Sequence, residues 1–312
     1  MAKRLNPVWR VTRALFPLAV GLLTVVGAFE AWLVYRVTHP RRTNYEITPN
    51  QYQLITGGSM AWSEEEWDNS DGTKASGWFL RGISGAPAIV LNHGYGKNRA
   101  ELLNLGVKLC ESGYHVLLPD LRGHGNSAVS YSSLGVYEKG DLIAAINYLK
   151  AKKNAQGQLM VDGSRVGVYG VSLGGYSALT AAAENPTIKV IVADSVYPKP
   201  GWLTQSVLKE MFNYAPSVMN QLANLGLRSY FWGQYDEGSA EEALSKFKGQ
   251  KLWLVTNQAN TPAAADTNQT TLDLFQQAQF PREILRVERP RAEAQDAYDD
   301  RIVGVFRKDL AR

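Results

Sequence analysis

The 312 residues, 45% of them hydrophobic and 20% charged, are enough for one large α/β domain with a sizeable core or for two small domains, and the ordinary glycine and proline counts (28 and 13) exclude collagen-like and low-complexity chains. A single cysteine, Cys110, excludes an intramolecular disulfide, and one cysteine with four histidines (His39, His93, His115, His124) leaves no basis for a metal centre; no cofactor is expected. The net charge of +4 is uneven: residues 1–42 hold seven Lys/Arg and one acid, the other 270 residues are net −2, and no basic, aromatic-laced stripe for nucleic acid remains.

Ala14–Tyr35 is 22 residues long and carries one charge, Glu30. As a helix it would span about 33 Å, against a hydrocarbon core of about 30 Å. Trp9, Trp32 and Tyr35 lie near its ends, where amphipathic rings settle at a membrane interface. Residues 1–42 are therefore expected to be a membrane anchor, with residues 14–35 projecting from the body and having no core packing of their own. A cleaved signal peptide is the competing reading, because Val26-Gly27-Ala28 has the small-residue pattern of a cleavage site; the apolar run continuing past Ala28 favours the anchor. Lys3, Arg4, Arg10 and Arg13 precede the span and Arg36, Arg41 and Arg42 follow it, which slightly favours a cytoplasmic N-terminus and an extracytoplasmic body. Glu30, about five residues inside the far boundary, is expected to snorkel rather than to meet another helix.

After a polar linker the sequence is irregular or β-like to about Gly85, with a hairpin-turn signal at Asp71-Gly72. From Pro87 the chain alternates. Strands are expected at Ala88–Leu91, His115–Pro119, Arg165–Tyr169, Lys189–Ala193, Leu252–Val255 and Glu283–Val287, and helices at Arg99–Ser112, Tyr137–Lys150, Gly174–Glu184, Gln269–Ala278 and Tyr298–Leu310. From Ser195 to about Gly249 a helical, aromatic stretch interrupts the rhythm. Continuous apolar strands alternating with helices imply an α/β domain over residues 43–312, its mostly parallel sheet covered on both faces.

Three loops carry the chemistry. Gly170-Val171-Ser172-Leu173-Gly174 matches G-x-S-x-G between a strand and a small-residue helix. Such a turn holds a serine in a strained conformation with its hydroxyl above the sheet, so Ser172 is the candidate nucleophile. The helix N-terminus adds positive potential where an oxyanion would develop. Asn92-His93-Gly94-Tyr95-Gly96 follows the Ala88–Leu91 strand; the backbone N–H groups of Tyr95 and Leu173 are the candidate oxyanion donors, and His93 is read as structural. Asp120–Ser127, with its D-x-R-G-H-G run, is read as a supporting turn, which makes His124 a poor catalytic candidate.

NHGYGKNRAE, GYHVLLPDLRGHGNS, GDLIAAINYL, VGVYGVSLGGYSAL and IKVIVADSVY, all within residues 87–197, resemble the membrane-anchored or secreted bacterial α/β-hydrolases related to the BEM/ABHD and serine aminopeptidase-like serine hydrolases. The resemblance implies an α/β-hydrolase fold with an eight-stranded sheet, a small helical cap at about 198–249, and a Ser–Asp–His triad in that order. For a bacterial chain it implies a single-pass inner-membrane protein with the domain on the periplasmic side.

The triad does not complete. Where the family pattern places the acid, residues 252–260 read LWLVTNQAN, with Asn260 at the aspartate position. Where it places the histidine, residues 285–293 read LRVERPRAE, and no histidine follows His124. A serine hydroxyl is a weak nucleophile without an adjacent base, and losing the base, with or without its orienting acid, costs about 10⁶-fold in rate. Rescue would fall to Asp266, Glu288 or Glu293, or to His93 or His124 recruited from the other loops. The expectation is a catalytically degenerate, membrane-tethered hydrolase-fold protein acting in binding or membrane-complex assembly, with the bilayer and a membrane protein as partners. The alternative is an active serine hydrolase (esterase, lipase or peptidase type) with an unorthodox base.

Overall fold

Two helices, α1 (Pro7–Thr38) and α2 (Pro49–Thr56), precede the sheet, which a hairpin at Asp71-Gly72 opens. The strands of the hairpin, β1 (Trp62–Asp68) and β2 (Lys74–Leu80), pair in register, and Gly72 takes the left-handed conformation (φ 79°) that the turn needs. The computed structural model describes residues 7–236, 238–257, 269, 272–274, 276, 282–287 and 295–310. Next come β3 (Pro87–Asn92), α3 (Leu103–Glu111, entered through a 3-10 turn at Arg99–Leu102), β4 (His115–Pro119), α4 (Glu138–Ala151), β5 (Asp162–Val171), α5 (Leu173–Glu184) and β6 (Ile188–Asp194). The interrupting stretch forms α6 (Pro200–Phe212), α7 (Ser217–Tyr230) and α8 (Ala240–Ser245). Then follow β7 (Lys251–Asn257), β8 (Arg282–Val287) and a C-terminal helix, Gln295–Asp309. Of the helix expected at 269–278, residues 269, 272–274 and 276 are described, and all are helical.

The eight strands order as β1-β2-β4-β3-β5-β6-β7-β8. β2 runs antiparallel to β1 and β4, and every other pair is parallel. The pleat sends successive residues to opposite faces. Val90 and Val168 join a core with α4, α5, α6, α7 and α8, whereas Leu91 and Tyr169 join a second core with α3 and the C-terminal helix. Burial on both faces is why β3 and β4 read as unbroken apolar runs.

The N-terminal helix departs from expectation. Helix α1 runs from Pro7 to Thr38, and Val11–Thr38 is long and apolar enough to cross a membrane. Its last turns nevertheless belong to the body. Leu33, Val34 and Val37 are at most 7% exposed and sit in the core that includes Met219, Ala223 and Leu227 of α7. The expectation that residues 14–35 project without core packing is corrected at Leu33 and Val34, and the packing continues past that span at Val37. Glu30 also meets a helix instead of only snorkelling: a methyl on Gly226 of α7 would lie 2.6 Å from Val34 Cγ2 and 2.9 Å from Glu30 Cγ, so the glycine is what lets the two helices close. Beyond the helix, Arg42 donates to the carbonyls of Ser127 (2.9 Å) and Val129 (2.6 Å), which extends the docking past residue 38.

Candidate active site

Ser172 stands between the end of β5 and the first residue of α5 with φ 50° and ψ −109°, a backbone that non-glycine residues rarely adopt. Its N–H donates to the Asp194 carbonyl at the tip of β6 (2.8 Å), and its carbonyl accepts from Tyr176 N–H (2.9 Å). The glycines make the turn possible. A Cβ on Gly170 would lie 2.3 Å from the Gly174 carbonyl, and one on Gly174 would lie 2.3 Å from the Asn92 carbonyl oxygen. Both neighbours are backbone and cannot give way. A serine at a helix N-cap normally turns its oxygen onto the first-turn N–H groups; Ser172 does not, and its hydroxyl bonds to no described residue.

The Tyr95 loop leaves β3 beside this turn, since Asn92 pairs with Gly170. Two imidazoles pin it. His93, fully buried, donates from Nδ1 to the Gly94 carbonyl (2.8 Å) and accepts Leu121 N–H at Nε2 (3.1 Å). His124, also buried, donates from Nδ1 to the Arg122 carbonyl (2.9 Å) and accepts Gly96 N–H at Nε2 (2.9 Å). Each ring therefore holds one fixed neutral tautomer, with both nitrogens committed to backbone. The Tyr95 hydroxyl donates to the Val37 carbonyl of α1 (2.6 Å), tying the loop to the N-terminal helix. The N–H groups of Tyr95 and Leu173 have no acceptor among the described residues. Chemically, the arrangement offers a half-buried serine, its hydroxyl unbonded, at the positive end of a helix and two open N–H donors on adjoining loops.

The Asp120–Ser127 turn is support. The Asp120 carboxylate accepts the N–H groups of Arg99 (3.0 Å) and Asn126 (2.9 Å) and the Tyr45 hydroxyl. Arg122, 1% exposed, pairs with Asp141 and with Asp71 (3.0 Å). His115 opens β4, at the amino end of the parallel strands, whereas Ser172 stands past their carboxyl end; the imidazole is stacked on Phe79 with Nδ1 accepting Gly82 N–H. His39 lies in a groove between α1 and α7 whose lining does not include Ser172. Asn260, Asp266, Glu288 and Glu293 lie outside the described residues.

One element beside the serine escaped sequence reasoning. Asp194 follows directly across from Val171 and accepts the Tyr298 hydroxyl at Oδ2 (2.6 Å) and the Ser195 hydroxyl at Oδ1 (2.8 Å). Tyr298, on the C-terminal helix, also bonds the Tyr169 hydroxyl (2.9 Å). Asp194 thus holds the elbow with its carbonyl and the C-terminal helix with its carboxylate. The only signal in the sequence is an acid at the carboxyl end of the strand next to the elbow strand.

These imidazoles set an acid limit on stability. Burial, and then the neighbouring His93, push His124 down to about 3; burial also lowers His93 and His115. The unfolded chain takes up these protons near pH 6.5, whereas folded His124 does so only near 3, so stability is greatest above about 6.5 and falls as pH drops through this window. His124 alone is expected to remove about 2 kcal/mol between pH 7 and pH 5, with His93 and His115 adding in the same direction. Burial also raises Asp141 to about 6, which works the other way below that pH, so denaturant midpoints measured at half-unit steps from pH 7.5 to 4.5 should show a net fall below 6.5 carried by the three rings; a profile that rises instead would contradict the neutral buried rings.

Residues 87–229 match the family model described as the α/β hydrolase fold. The chain is 25% identical over 174 residues to lipase 3 of a Moraxella species, covering 55% of this chain and 47% of that one. It is 28% identical over 176 residues to the α/β hydrolase domain-containing protein WAV2 of Arabidopsis thaliana, covering 54% and 52%. The matches span about a third to a half of the curated relatives' own length. Among solved structures, an esterase of Pyrococcus furiosus superposes with a TM-score of 0.65 at 20% identity, covering 89% of this chain and all of the other, a likeness in fold.

Proposed function

The chain is an α/β-hydrolase-fold protein, and from that premise we propose that it is tethered to a membrane by α1 and acts there as a binding or assembly module with little or no hydrolase activity. The observation that carries this reading is the state of the histidines. The sequence has four; His93 and His124 have both nitrogens bonded to backbone, His115 sits at the opposite end of the parallel strands, and His39 lies in a groove apart from Ser172. No imidazole is left to take the Ser172 proton, and residues 285–293 supply none. An α1 long and apolar enough to cross a membrane supports the tether, and the basic residues flanking it favour an extracytoplasmic body.

A second reading, slow ester hydrolysis with a carboxylate base such as Asp266, Glu288 or Glu293, is favoured by the strained serine and the two open N–H groups. One experiment separates the two. The full chain in nanodiscs is exposed to a fluorophosphonate probe and to a short acyl ester, alongside Ser172→Ala. The proposal expects no labelling of Ser172 and the same hydrolysis rate in both chains. Brisk hydrolysis abolished by Ser172→Ala would overturn it, and the pH profile would then name the base, a carboxylate titrating at about 4–6 and an imidazole at about 6.5.

A further inference from the structure

We propose that the corner between α6 and α7, with Phe212, Tyr214 and Val218, rests on the lipid surface beside the point where α1 enters the bilayer; this builds on the tether reading above. Burial of α1 against the body begins at Leu33, and the nineteen residues Ala14–Trp32 rise about 28 Å, close to a hydrocarbon thickness, which brings the interface from Tyr35 back to about Trp32. Aromatic rings mark that level. Phe29 stacks on Trp32 (5.8 Å), and Trp32 meets Phe212 edge-on (5.9 Å), so a file of rings runs from the spanning helix onto the end of α6.

The corner itself is apolar and uncovered. Tyr214 is 74% and Val218 62% exposed, both just past a turn at Asn213 with φ 53° that ends α6. Exposed apolar side chains scattered singly need no explanation. These are different because they continue the aromatic file from a helix that is itself apolar all round. The geometry is also fixed: Leu33, Val34 and Val37 are buried against the cap, and Gly226 brings α7 against Glu30 and Val34. Inserting α1 to its apolar length therefore carries the α6–α7 corner down to the headgroup–acyl boundary. The occupant is the bilayer that α1 crosses, because the same rings serve both.

The test uses the full chain with Cys110→Ser, single cysteines at Leu18, Leu159, Tyr214 and Val218, a small fluorophore on each, and phosphatidylcholine–phosphatidylglycerol vesicles with acyl chains brominated near the headgroup. Labels at 214 and 218 are expected to lose most of their emission to the brominated lipid and little to aqueous iodide, with the reverse at 159, an exposed site on the body. Labels at 214 and 218 that behave like 159 would overturn the proposal. So would protection from both quenchers, which would mean that protein, such as a second copy, covers the corner. Leu18 separates the two levels. Quenching by brominated lipid at 18 but not at 214 and 218 leaves the tether standing and sinks the docking; no quenching at 18 sinks the tether itself.

Discussion

Removing residues 1–42 is expected to leave a body that does not fold stably, whereas removing residues 1–29 leaves one that does. The difference lies in nine helical residues and the four after them. Leu33, Val34 and Val37 are essentially buried in the core shared with α7. Burying three such side chains contributes about 5–8 kcal/mol, comparable with the whole net stability of a domain, about 5–15 kcal/mol. The cut at 42 also strips acceptors from buried donors. Ser132 N–H loses the Thr38 carbonyl (2.7 Å), and the Tyr95 hydroxyl loses the Val37 carbonyl (2.6 Å). Each orphaned group costs about 1–3 kcal/mol more. Denaturant unfolding of 30–312 and 43–312 in detergent-free buffer checks this. Equal, cooperative midpoints for the two would show that α1 is only an anchor.

The same contact links α1 to the site. Tyr95 presents one of the two open N–H groups, and its side chain is held by the last turn of α1. A truncation that keeps residues 30–42 should therefore preserve the loop geometry, and one that does not should loosen it even where the rest of the sheet survives.

The parts legible in the sequence are those whose physics is local. Gly170 and Gly174 are required by backbone contacts within a few residues of Ser172 or on the adjoining strand, so the G-x-S-x-G spacing carries the elbow by itself. β3 and β4 announce themselves because both faces are buried. The docking of α1 was not legible. A membrane span and a core helix use the same residues, so Leu33, Val34 and Val37 look no different from Leu22 or Val25, and only the presence of α7 across from Gly226 separates them. Nor was the Tyr298–Asp194 bond legible, because it joins residues 104 apart and neither lies in a motif. β4 keeps its expected bounds, and β8 its expected end; the other strand ends extend one to three residues further, since terminal residues such as Asp162 and Val171 pair in the sheet without continuing the apolar run.

Glu138→Ala is expected to cost about 3–5 kcal/mol, because it leaves four buried neutral donors without their acceptor at about 1–3 kcal/mol for each that finds no other. Glu138 is fully buried in the first turn of α4, where the helix dipole favours its charge. Its carboxylate accepts four donors: at Oε1 the Ser132 hydroxyl (2.9 Å) and Ser133 N–H (2.9 Å), at Oε2 the Ser133 hydroxyl and Gly135 N–H (2.8 Å). Alanine would leave all four facing a void. The loop they hold is strained and central. Leu134 has φ 59°, its carbonyl accepts the Tyr197 hydroxyl (3.1 Å), Gly135 packs against the Tyr176 ring, and the Ser132 N–H caps the end of α1. Glu138 thus fastens the receptor for α1 to α5, the helix that begins at Ser172. Glu138→Gln keeps the shape but turns an amide NH₂ onto two donors at one oxygen position, so it should fall between wild type and alanine. The order wild type, Gln, Ala in thermal midpoint is the expected outcome. A midpoint for Glu138→Ala within a degree or two of wild type would mean that water replaces the carboxylate and that the loop holds α1 without it.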